Sequence, residues 1–146
     1  MTFMNRINLI TLGVKDMAKS LTFYRDGLCF ETSVSEENPG VAFFNCRGTK
    51  LSLYPLEALA IDTGESEQVN ANGFKGFTLA YNAKSPEEVE TILKMAVAAG
   101  GKLVKPAQNT FWGGYSGYFT DPDGYYWEVA FADFWKFDEN DMLIID

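Results

Sequence analysis

The sequence predicts an α+β fold in which two βαβββ modules pair into a curved, mostly antiparallel sheet around an open cleft. Three observations carry this expectation: two well-capped helices, the same order of strand-like runs around each, and a polar segment between the two sets.

Ile7 to Val14 is apolar and β-branched and reads as the opening strand. Asp16 then caps a helix through Leu21, Phe23 and Tyr24 that stops at Gly27. Phe30 to Val34, Val41 to Cys46 and Leu51 to Tyr54 follow as strands, with Gly48 marking a turn. The second half repeats the order. Gly76 to Tyr81 is the strand. Ser85-Pro86-Glu87-Glu88 is a capping box with proline at the first helical position. Val89, Ile92, Leu93, Ala96 and Val97 keep helical spacing until Gly100-Gly101, so the helix spans about residues 86–99. Lys102 to Lys105, Gly114 to Thr120 and Tyr125 to Phe131 complete the set, with Asp121-Pro122-Asp123-Gly124 as the turn. Repetition within one chain is an internal repeat. The single domain of 146 residues divides into module one (about 6–56), a linker (about 57–73), module two (about 74–132) and a tail (133–146). A ferredoxin-like domain accounts poorly for the two extra strands.

The formal net charge of -8, with no basic stripe, argues against nucleic acid as a partner. No run of about 18 apolar residues is present and no secretory signal is recognised, so no membrane partner is expected. Cys29 and Cys46 lie in apolar segments without a CxxC, which predicts buried free thiols in a reducing cytoplasm. There is no histidine, which excludes a Ser-His-Asp triad, a Cys-His dyad and any imidazole ligand.

Leu12-Gly13-Val14-Lys15-Asp16-Met17-Ala18-Lys19-Ser20, running into Phe23-Tyr24 and Gly27-Leu28-Cys29-Phe30, resembles a signature of the vicinal-oxygen-chelate superfamily. This superfamily contains the glyoxalase, bleomycin-resistance and extradiol-dioxygenase proteins. It usually reads L-x-V-x-D-x-x-x-S, then FY, then LGF, and Cys29 stands where it usually has glycine. Asp121-Pro122-Asp123-Gly124 followed by Tyr125-Tyr126-Trp127-Glu128 resembles its second signature. The likeness covers about residues 6–131.

The resemblance implies metal-ligand positions on the first and last strands of each module. Matching the motifs puts them at Leu9, seven residues before Asp16, at Phe77, at Glu128, and at Ser52 with Tyr54 as the nearby alternative. Leu and Phe cannot coordinate a divalent cation, and one carboxylate with a neutral hydroxyl holds it poorly. The sequence therefore predicts no family-type metal site and implies no other cofactor. Glu128 remains. Among Trp127, Tyr126, Phe77 and Leu9 its carboxylate would be desolvated and suited to act as a catalytic base, whereas a structural pairing with Lys50 or Arg47 is the plainer reading. Trp112, Tyr115 and Tyr118, with Phe44 in the equivalent strand of module one, could wall a cleft for a planar or cationic molecule. Ordinary core is the alternative for each. Tyr115 and Phe119 share one face of their strand while Ser116 and Tyr118 share the other.

Three functions compete. The first is a metal-free binder of a small organic ligand, resembling the bleomycin-resistance branch. The second is a lyase, isomerase or dioxygenase using Glu128 as base or metal ligand. The third is an interaction module with a self-filled cleft. The apolar tail is expected to pack on its own sheet or on a second chain, and the resemblance implies a homodimer with a shared cleft.

Overall fold

The computed structural model describes residues 3–63 and 74–145. The element order is β1 (Leu9–Val14), α1 (Met17–Leu21), a π-helical turn (Thr22–Gly27), β2 (Ala42–Phe44), β3 (Lys50–Pro55), α2 (Leu56–Asp62), β4 (Leu79–Asn82), α3 (Pro86–Ala98), β5 (Lys102–Asn109), β6 (Tyr115–Thr120) and β7 (Tyr126–Phe131). The strands form two sheets, one of order β1-β3-β2 and one of order β4-β7-β6-β5. In each, the first strand runs parallel to the last, and the remaining pairs are antiparallel. The repeat is therefore real at the level of topology.

The caps explain where the helices start. The Asp16 carboxylate accepts from the Lys19 amide at 3.1 Å, and the Ser85 hydroxyl from the Glu88 amide at 3.0 Å. The first helix reaches Gly27 as expected but widens after Leu21, where the Leu28 amide donates to the Phe23 carbonyl at 2.9 Å. That extra residue in the turn leaves Phe23 and Tyr24 both buried. Gly27 is needed because a Cβ there would come within 2.3 Å of the Ala99 Cβ, where α3 ends.

Three expectations change. Phe30–Val34 does not form a ladder strand; it follows β2 through single bonds, Asn45 amide to Glu31 carbonyl and Thr32 hydroxyl to Phe43 carbonyl. Residues 57–62, expected in the linker, form a helix with Leu56, because Leu56 and Leu59 find an apolar seat over Gly13. The rest of the expected linker, 64–73, lies outside the described residues. Finally, Cys29 is exposed and Cys46 only half-buried, although both are free thiols. Cys29 sits at φ 62°, the left-handed region that costs a non-glycine residue roughly 1–2 kcal/mol, which explains why the matching motif has glycine there.

The two modules meet through one core. Leu12, Val14, Phe44, Leu51 and Leu53 from the first sheet share it with Phe119, Trp127 and Val129 from the second. The Phe23 ring lies 6.4 Å from Phe119, and Tyr24 lies 6.2 Å from Trp127. The Asp121-Pro122-Asp123-Gly124 turn fastens this core. Asp121 accepts from the Tyr24 hydroxyl at 2.6 Å, which itself accepts from the Trp127 indole at 3.1 Å. Asp123 accepts from the Ser20 hydroxyl and the Lys15 amide, both at 2.9 Å, and the Tyr125 hydroxyl donates to the Gly13 carbonyl at 2.7 Å. A motif read as a turn is thus also the latch between modules.

Burial, then the charge of Asp121 and the bond to it, hold the Tyr24 phenol well above the ordinary tyrosine range. A folded value above the unfolded one means its contribution is complete below about pH 10 and is lost as pH rises from there toward the folded value. The denaturation midpoint is therefore expected to fall above about pH 10, and less steeply in Tyr24→Phe. Denaturant titrations of both proteins across that range check this; parallel curves would contradict it.

The tail after β7 doubles back on the chain. Asp141 joins Arg47 at 2.5 Å and also pairs with Lys84, and Trp135 stacks on Trp112 at 5.6 Å. Ile144 and Ile145 remain exposed. No helix among the described residues is long and apolar enough to cross a membrane.

Candidate functional site

Strand alternation and register decide which side chains share a face. In β7, Trp127 and Val129 enter the core, so Glu128 turns to the opposite, open face. In β6, Phe119 enters the core, so Ser116 and Tyr118 turn with Glu128. Tyr118 lies directly across from Glu128, and Ala80 of β4 lies on its other side. Tyr126 belongs to the same face, across from Thr120, with its ring edge-on to Phe74 at 5.5 Å. Burial first, and then the charge of Glu128, push the Tyr118 phenol above its usual value. Neither cation considered as a structural partner reaches Glu128: Arg47 is held by Asp141, and Lys50 donates to the Cys46 carbonyl. Among the described residues Glu128 forms no ion pair.

Module one has an equivalent open face. Leu9 lies across from Lys50, Thr11 from Ser52, and Gly13 from Tyr54. Leu9 is exposed, whereas Ser52 is buried and shares a 2.7 Å hydrogen bond with Thr11. The Tyr54 end is covered by α2.

The remaining expected residues lie elsewhere. Phe44 is 1% exposed and packs against Tyr24 and Phe30 on the core side. Tyr115 is also on the core side, donating to Glu90 of α3 at 2.8 Å. Trp112 is engaged by the tail. Phe77 precedes β4 and rests on the Tyr125 ring at 5.8 Å; alternation from Ala80 puts Thr78 rather than Phe77 on the face of Glu128. Thr11 and Lys105, not expected from the sequence, also stand on these faces, across from Ser52 and Tyr118. Alternation from Leu9 would have found the first. Lys105 lies across from Tyr118 between two register shifts in β5, which no periodicity reveals.

Tyr118, Tyr126 and Glu128 form one cluster, and Leu9, Ser52 and Tyr54 another. Residues from one side of each sheet share the core, and these two sets of side chains lie on the opposite sides. A cavity of about 620 Å³ between α3 and β5 and one of about 270 Å³ beneath the tail are not lined by any of these six. No group of three or more acidic, Cys or His side chains placed to hold a metal occurs among the described residues. The donors at the ligand-type positions, one carboxylate with neutral hydroxyls, do not fit a divalent cation.

A family profile for the glyoxalase/bleomycin resistance protein/dioxygenase superfamily matches residues 6–129. The chain belongs to this superfamily. A glyoxalase-related enzyme from Fulvimarina pelagi is similar over 97% of this chain and 99% of its own, with 31% identity and a TM-score of 0.87. A glyoxalase/bleomycin resistance protein/dioxygenase from Nocardioides is similar over 90% of this chain and 86% of its own, with 24% identity and a TM-score of 0.74. A family enzyme from Burkholderia phytofirmans is similar at 19% identity over 86% and 97% of the two chains, with a TM-score of 0.74. The last two likenesses concern fold alone. No curated protein matches the chain.

Proposed function

We propose that this superfamily member binds a small organic molecule, aromatic or cationic, on the face of Glu128 without a resident metal. The observation that carries the reading is the Tyr118–Glu128 pair: a carboxylate with no cation partner among the described residues, beside a phenol and the Tyr126 ring. Such a surface offers one charge and flat apolar walls to a ligand cation. The cleft is proposed to close when module two of one chain meets module one of a second copy. A homodimer is therefore part of the proposal.

The second reading is an enzyme in which Glu128 takes a proton and Tyr118 returns one. The glyoxalase-related enzyme of Fulvimarina pelagi favours it. Metal retention and oligomeric state test the first reading directly. After dialysis against zinc, nickel, manganese and iron salts, elemental analysis is expected to find far less than one ion per chain, and sedimentation of the same sample to give a dimer. Near-stoichiometric retention of any one ion would defeat the metal-free reading, and a monomer would defeat the shared cleft.

A further inference from the structure

The register of the second sheet sets three polar side chains in one row across its open face. Lys105 of β5 lies across from Tyr118 of β6, which lies across from Glu128 of β7. Two strand spacings, about 10 Å, separate the backbone of the lysine from that of the glutamate. In a chain of net charge -8, neither end of this row has an ion-pair partner among the described residues. A cation, a phenol ring and an anion in line match a guest with the opposite sequence of charges.

We infer that this face selects an aromatic zwitterion, a ring bearing an ammonium group at one end and a carboxylate at the other. The ammonium lies on Glu128, the ring on Tyr118 and the carboxylate on Lys105. The inference rests on the reading of this face as a binding site, and adds that the ligand carries a negative as well as a positive group. Pro106 and the two register shifts also blunt β5 as a sheet edge, and lysine serves that purpose elsewhere. An edge guard acts on self-association and is indifferent to ligand charge, so the two roles are separable.

The probes are 4-(aminomethyl)benzoate, benzylamine and benzoate, titrated by nuclear magnetic resonance into the full chain, Lys105→Gln and Glu128→Gln. The zwitterion is expected to bind about three- to fivefold tighter than benzylamine, the upper part of what an exposed ion pair contributes. Lys105→Gln is expected to abolish that preference without weakening benzylamine binding or shifting the sedimentation profile. Glu128→Gln is expected to weaken both amines. Benzylamine binding with no gain from the added carboxylate, or a gain that survives Lys105→Gln, overturns the inference and leaves the proposed binding function intact. Absence of binding by all three probes overturns both.

Discussion

Phe44→Ala is expected to destabilise the fold by about 3–5 kcal/mol, the range for deleting a large aromatic side chain from a packed core. The ring is 1% exposed, stands against Tyr24 and Phe30 with centroids 5.9 Å away in each case, and lies across from Leu51 in the β2–β3 pair. Its removal leaves a void lined by rigid aromatic rings, which limits how far the site can collapse. Set against a total stability of about 5–15 kcal/mol for a domain, this one change removes a large share. Urea denaturation is the measurement: the midpoint is expected to move far down with little change in slope. A midpoint close to the parent's, together with loss of ligand binding, would return Phe44 to the cleft.

Asp121→Ala is expected to cost about 3 kcal/mol and lower the melting temperature by about 6–12 °C. Its carboxylate accepts the Tyr24 hydroxyl at 2.6 Å and the Asp123 and Tyr125 amides at 2.9 Å each. Truncation strands these donors in a region where burial raises the Asp121 value itself. Burial also makes the carboxylate costly to ionise, so part of its benefit is offset. Tyr24→Phe removes the hydroxyl that would be left stranded. The double variant is therefore expected to lose less than the two single variants added together, by about 1 kcal/mol or more. Additive losses in calorimetry would show that the two modules are not joined through this bond.

The residues that could be read without tertiary information share one property: their meaning is local. Asp16 and Ser85 accept from amides three residues on, so the helix starts were legible. Alternation in β6 was legible too, and it grouped Tyr115 with Phe119 apart from Tyr118. What it could not supply was which group met the helix, and that placed Tyr115 beside Glu90 and Tyr118 beside Glu128. Cys29 is a half-legible case: the motif flagged the departure from glycine, but only its positive φ gave the reason.

The sequence by itself determined the superfamily, the repeated module and the absence of histidine, because element period, capping and residue chemistry are local properties. The tertiary structure decided that the modules share one core fastened by Asp121 and Asp123, that Phe44 is packing, and that Lys105 stands in a row with Tyr118 and Glu128. Those facts depend on residues about a hundred positions apart, or on bulges that shift register without any signature in the chain, and only folding brings such groups to one place.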